Sequence, residues 1–172
     1  AYTEATAWQY RFFVPHDVNG MIQLFGGKEE FVAALDDIFN TDAEIHGNLV
    51  DITGLIGQYV HGNEPSHHIA YLYNYVGEPW KTQKMSRRLL NEMYHPTPEG
   101  IIGNEDCGQM SAWYILSSMG LYSVCPGSNE YVLTTPLFEK VVVHLANGRT
   151  LTILANDPQK NIYITKVELN GK

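Results

Sequence analysis

The sequence predicts an α+β fold, and three observations carry that expectation. Helix-period apolar patterns occupy the first two-thirds of the chain, short β-branched runs occupy the rest, and the change of texture falls at Cys125-Pro126-Gly127-Ser128. The expected division is a helical region over residues 1–125 and a strand region over 126–172. Phe31, Ala34, Leu35, Ile38 and Phe39 mark one helical face, and Lys28-Glu29-Glu30 supplies its polar first turn. Ser66 to Val76 reads as a second helix, opened by Pro65 and closed by Gly77. Pro79 to Met93 reads as a third, stopped by Pro96 and Pro98, and Gln109 to Met119 as a fourth, ended by Gly120. Helices joined by carboxylate- and glycine-bearing loops fit part of an α/α helical barrel whose rim loops carry a site.

The strand region has runs at Tyr131-Val132-Leu133, Val141 to Leu145, Thr150 to Leu154 and Asn161 to Leu169. Asn147-Gly148 is a hairpin signal, and Asn156-Asp157-Pro158 and Asn170-Gly171 are further turns. These runs predict a small antiparallel sheet of about four to five strands, with open edges that need covering. The final turn looks like one whose returning strand is missing. The chain opens at Ala1-Tyr2-Thr3-Glu4 with no initiator Met or leader, which reads as a processed protein or a piece of a longer one.

Composition excludes several classes of function. The 172 residues carry 11 Lys plus Arg against 19 Asp plus Glu, a net charge of -8, so a nucleic acid has no basic footprint to grip. No apolar run approaches the roughly 20 residues of a membrane span. The two cysteines, Cys107 and Cys125, lack zinc-site spacing; a single disulfide between them stays open, although their loops need not meet within the narrow geometry a bridge demands.

Three segments can carry chemistry. Gly103-Asn104-Glu105-Asp106-Cys107-Gly108-Gln109 puts adjacent carboxylates in a glycine-bracketed loop at a helix start, where Asn104 or Asp106 could equally be a plain N-cap. His61-Gly62-Asn63-Glu64-Pro65-Ser66-His67-His68 gathers a carboxamide, a carboxylate and three imidazoles. Asn63 and Glu64 are hard oxygen donors of the kind that suits Ca²⁺ rather than Zn²⁺. His67 and His68 point about 100° apart on a helix and cannot easily share a metal, so one is expected in the core and the other near solvent. In the opening segment, Glu4 precedes Trp8 and Tyr10, and an acid desolvated beside such rings has a raised pKa. Two carboxyl groups, one protonated and one ionised, are what glycosidic hydrolysis requires, and aromatic side chains around them offer stacking platforms. A non-catalytic carbohydrate-binding module, or a structural helical domain in which Glu105 and Asp106 merely cap a helix, would carry many of the same residues.

Four strings then matter together: Glu4 to Asp17 (EATAWQYRFFVPHD), His61 to Tyr75 (HGNEPSHHIAYLYNY), Pro79 to Gln83 (PWKTQ) and Gly103 to Tyr114 (GNEDCGQMSAWY). With Cys125-Pro126-Gly127-Ser128, they closely resemble glycoside hydrolase family 92, the calcium-dependent exo-α-mannosidases. The resemblance implies an inverting hydrolase of terminal α-linked mannose, frequently α-1,2, from N-glycans or mannan. It implies an (α/α)6 barrel packed against a β-sandwich, a Ca²⁺ ion on the mannose hydroxyls, and a secreted or periplasmic home.

By the same resemblance, Asp106 matches the general base and Glu4 the general acid. Glu64 is the alternative acid, and otherwise joins Asn63 as a calcium ligand. Asn104, Glu105, His61, Trp8 and Gln109 are the expected substrate contacts. Asn104 stands where the family often has Asp, which removes one anionic neighbour of the base. His61-Gly62 departs from the His-Glu pair associated with α-1,2 selectivity, so the linkage stays open. Family members are much longer, so the chain resembles a C-terminal fragment with the last barrel helices and part of a sandwich. The N-terminal domain of the same polypeptide would be its missing partner, and the fragment alone is expected to be inactive.

Overall fold

The computed structural model describes residues 2–42 and 52–172. The expected helices form at 28–40, 79–92 and 109–118, within a residue or two of the sequence reading. Ahead of them lie two short helices that the apolar periodicity does not announce. Helix α1 (Ala7–Tyr10) is set by a capping box: the Thr6 hydroxyl accepts the Trp8 N–H, and Gln9 Oε1 accepts the Thr6 N–H at 2.8 Å. Helix α2 (Val18–Leu24) is capped by Asp17, whose Oδ1 accepts the Gly20 N–H at 2.8 Å. Helix α3 (Lys28–Asn40) buries Phe31, Leu35, Ile38 and Phe39 as its periodicity requires. A hairpin follows, β1 (Leu55–Ile56) with β2 (Tyr59–Val60), turning at Gly57 with φ +58°.

The expected helix over Ser66 to Val76 is replaced by two 3₁₀ segments, Glu64–Ser66 and Ile69–Val76, ended by left-handed Gly77. Eight residues is long for this geometry. The run Ile69-Ala70-Tyr71-Leu72-Tyr73 is buried on every side, so tertiary packing decides its form rather than one amphipathic stripe. Its β-branched and aromatic side chains also lose rotamer freedom in an α-helix. Helix α4 (Pro79–Glu92) packs on this segment, and α5 (Gln109–Ser118) packs on α4. One core joins them through Phe12, Phe31, Leu35, Tyr59, Ile69, Leu72, Leu89, Trp113 and Tyr122.

The strand region differs from the expected single sheet. Strand β3 (Leu121–Tyr122) pairs with β4 (Val132–Leu133), and β5 (Lys140–His144) pairs with β6 (Thr150–Leu154), each pair antiparallel and separate. Asn147-Gly148 turns the second hairpin as expected, with Asn147 Oδ1 accepting the Arg149 N–H at 3.1 Å. Asn161 to Leu169 joins no ladder, although the turn at Asn170-Gly171 forms with both residues at positive φ. That segment is held through single contacts instead: the Ile164 N–H donates to Gln83 Oε1 at 3.0 Å, and Thr135 Oγ1 donates to Ile162 O at 2.7 Å. Buried Arg87 of α4 donates to Pro136 O at 2.9 Å and Pro158 O at 2.8 Å, fastening the strand region to the helices. Cys107 and Cys125 are free thiols. Among the described residues, no helix is long and apolar enough to cross a membrane.

Candidate active site

The three carboxylate-bearing loops meet. Glycine makes the closest approach: a Cβ on Gly103 would lie 2.6 Å from Gly62 O and 2.7 Å from Gly62 Cα, so the 61–64 and 103–107 loops touch backbone to backbone. Asn63 ties in the opening segment. Its Nδ2 donates to Glu4 O, and its Oδ1 accepts the Glu64 N–H at 3.1 Å, capping the 3₁₀ turn. The Glu64 carboxyl is hydrogen-bonded to Asp106, and its pKa is raised by burial and by the charges of Asp106 and Glu4.

Both Glu4 and Asp106 stand on left-handed backbone, at φ +54° and +47°, and Cys107 follows at +57°. For residues other than glycine this conformation is strained, and such strain persists only where surrounding contacts fix it. In the 103–107 loop, Glu105 provides part of that fixing. Its carboxylate accepts the Ser111 N–H at 3.0 Å and the Ser111 hydroxyl at 2.9 Å, so it caps α5. Neither Asn104 nor Asp106 is the N-cap; Gly108 occupies that position with no side-chain bond. Asn104 and Asp106 are exposed beside it.

Below the carboxylates lies a layer of neutral imidazoles. His67 Nε2 is 2.9 Å from His61 O, a group that only accepts, so Nε2 carries the proton; Nδ1 then accepts from Gln109 Nε2 at 3.2 Å. His61 is fully buried, with Nδ1 2.9 Å from the Tyr59 hydroxyl and Nε2 2.8 Å from that of Tyr94. The Tyr94 hydroxyl donates to Met110 O at 3.4 Å, which leaves His61 Nε2–H as donor to Tyr94 and Nδ1 as acceptor from Tyr59. Burial pushes the pKa of His61 down to about 3 and that of His67 down to about 4. The expectation that one of His67 and His68 faces solvent fails. His68 is 5% exposed because its Nε2 meets Phe12 O at 2.7 Å, so both rings are satisfied by buried carbonyls.

The other expected site residues divide. Glu4 is exposed, so the desolvation expected beside Trp8 and Tyr10 does not arise on this chain. The Arg11 guanidinium lies 4.4 Å from the Trp8 ring, and Tyr10 stacks on Tyr2 with ring centres 5.2 Å apart. His61 lies in the floor of the site, walled by Tyr59, Tyr94 and Trp113, rather than at its surface. Tyr59 and Tyr94 are missed by motif reading because their roles lie in packing and in holding His61. A cavity of about 510 Å³ opens behind the loop, lined by Tyr94, His95, Ile101, Ser111 and Tyr114, and contains none of the carboxylates.

Asn63 and Glu64 offer hard oxygen donors of the kind calcium takes. Among the described residues, no three of His, Cys, Asp or Glu are placed to hold a metal. Asn63 Oδ1 already accepts one hydrogen bond, and Glu64 is shared with Asp106, whereas calcium takes about six to eight oxygens.

Comparison with known proteins matches the chain to a family. The profile of the glycosyl hydrolase family 92 catalytic domain matches residues 1–172. A family GH92 α-mannosidase from Bacteroides thetaiotaomicron, solved in complex with mannoimidazole, superposes with a TM-score of 0.89 at 44% identity, covering 98% of this chain and 22% of that one. A family GH92 inverting mannosidase from Bacteroides thetaiotaomicron VPI-5482 superposes with a TM-score of 0.75 at 39% identity, covering 91% of this chain and 22% of that one. An uncharacterized secreted glycosidase of Arthroderma benhamiae is 34% identical over 98% of this chain and 20% of its own length. The chain thus spans about a fifth of the length of these relatives. It belongs to glycosyl hydrolase family 92 and contributes part of that family's catalytic domain.

Proposed function

We propose that the protein containing this chain is an inverting exo-α-mannosidase acting on terminal α-linked mannose, with α-1,2 the favoured linkage and an N-glycan or mannan the substrate. The observation that carries this reading is the convergence of Glu4, Glu64 and Asp106 from three loops onto one surface. The α-mannosidase and the inverting mannosidase that the chain resembles point the same way. Asp106 is the base that takes a proton from the attacking water, and Glu4 is the acid that protonates the leaving oxygen. Glu64, beside Asp106, is the alternative acid; inverting pairs stand about 6.5–9.5 Å apart, and that spacing from Asp106 decides between Glu4 and Glu64.

A calcium ion would take Glu64 and Asn63 Oδ1 among its ligands, with sugar hydroxyls and water completing the set, and would supply positive charge to orient those hydroxyls. Asn104, Glu105 and Trp8 are the further residues we assign to contact with the sugar. A secreted or periplasmic location accords with the secreted relative.

The test is Asp106→Asn in the intact protein, assayed on an α-1,2-linked mannobiose with the anomer of the released sugar read by NMR. A loss of turnover of about 10²–10⁴-fold, with sugar affinity retained and β-mannose released by the wild type, is expected. Release of the α-anomer would replace inversion by retention. Unchanged sugar binding with no turnover by the wild type would favour a carbohydrate-binding module.

A further inference from the structure

We propose that Gln109 and His67 form a positioning clamp that fixes the Asp106 loop against the Glu64 loop, and that Gln109 acts through this clamp rather than by touching sugar; the proposal rests on the hydrolytic reading of the site.

Four contacts make the clamp. His67 Nε2–H donates to His61 O at 2.9 Å, which aims Nδ1 at α5 with a lone pair that only a donor can satisfy. Gln109 Nε2 is that donor, at 3.2 Å, from the first residue of α5. The Gln109 backbone N–H in turn donates to Asp106 O at 3.2 Å. One turn further along the same helix, Trp113 Nε1–H donates to His67 O at 3.0 Å. Two attachments a turn apart on one residue fix both the position and the rotation of α5 against the segment that carries Glu64.

The need for such fixing is visible in the backbone. Asp106, Cys107 and Gly108 are consecutive left-handed residues, at φ +47°, +57° and +91°. An exposed loop in that conformation relaxes unless its ends are held. Glu105 holds the side toward Ser111, and the His67–Gln109 bond holds the side toward Glu64. His67 is 2% exposed and faces His61, His68, Asp106 and Trp113, so its ring has little freedom to turn.

The experiment compares Gln109→Glu and Gln109→Met with wild type in the intact protein. Glu keeps the size and, as a carboxylate, presents an acceptor to the Nδ1 lone pair; Met keeps the length and has no donor. We expect kcat per folded molecule to fall about 10–100-fold in both, with KM within about twofold, because an ångström of misplacement has that effect on turnover. A rise in KM at unchanged kcat would make Gln109 a sugar contact and overturn the proposal, as would unchanged kcat and KM. A wild-type protein that turns over no α-mannoside would defeat the hydrolytic reading instead. The clamp is then decided by ¹⁵N NMR of His67: an Nε2–H tautomer whose Nδ1 shift moves in Gln109→Met supports it, and an Nδ1–H tautomer or an unmoved shift overturns it.

Discussion

At the scale of single residues, the site is governed by which groups are kept neutral. His61 and His67 have folded pKa values near 3 and 4, well below the ordinary 6.5 for histidine, because burial penalises their charged forms. The sign of the stability effect follows: below about pH 6.5 the unfolded chain takes up protons that the fold refuses. We therefore expect the melting temperature to fall steadily as pH is lowered from 6.5 toward 4, and neither ring to titrate by NMR above pH 5. A histidine shift with a midpoint near 6.5 at either ring would contradict this. Glu64 works in the opposite sense, since its raised pKa makes the fold bind a proton more tightly than the unfolded chain does. Its contribution is present below the ordinary glutamate range and is lost as pH rises through its folded value. Glu64→Gln should remove that loss, flattening the pH dependence of stability just above the ordinary glutamate range. Both readings were beyond the sequence. The string His61 to His68 shows that imidazoles are close in number, but His61 reads as a sugar contact until Tyr59 and Tyr94 are seen on its two nitrogens.

At the scale of elements, legibility follows the range of the interaction that sets each one. Helices α3, α4 and α5 and the turn of the β5–β6 hairpin depend on periodicity, proline, glycine and Asn-Gly, all local signals, and they form where expected. The β1–β2 hairpin, the 3₁₀ run Ile69–Val76 and the unpaired Asn161 to Leu169 depend on distant packing, and the local pattern misassigns or omits them. The site divides in the same way. Its three loops are readable as strings, while their convergence is made by the contact of Gly62 with Gly103, 41 positions apart in the numbering. That contact predicts a sharp effect of Gly103→Ala. The added Cβ would meet Gly62 backbone at 2.6 Å on a residue at φ +79°, so the loops must part. We expect a loss of about 1–3 kcal/mol of stability and a fall in turnover larger than the unfolded fraction explains. Thermal melting alongside kinetics per folded molecule checks this, and full activity with an unchanged melt would show that the loops do not depend on the contact. Glu105→Ala should cost about 0.5–2 kcal/mol through the lost cap on α5, measured by the same melt.

At the scale of the whole chain, the helical and strand regions are held as one body by a few buried polar contacts rather than by a continuous sheet. Arg87 satisfies two carbonyls that flank the β5–β6 hairpin, and Gln83 one amide. Several large apolar side chains of that region are exposed among polar neighbours, Leu154 at 72% and Leu169 at 70%. The carboxylates are affected by the same openness. Glu4 and Asp106 are exposed on this chain, whereas a catalytic acid and base need a closed, poorly solvated cleft to raise one pKa and strengthen the field on the transition state. The relatives are about five times longer. The 172-residue polypeptide on its own is therefore expected to fold around its core, to self-associate through its exposed apolar side chains, and to hydrolyse aryl α-mannosides at least about 10³-fold more slowly than the intact protein. Light scattering and a fluorogenic α-mannoside assay on both polypeptides measure the two effects. Turnover by the short chain near that of the intact protein would show that the three loops are sufficient as they stand, and that the acid and base work without a closed cleft.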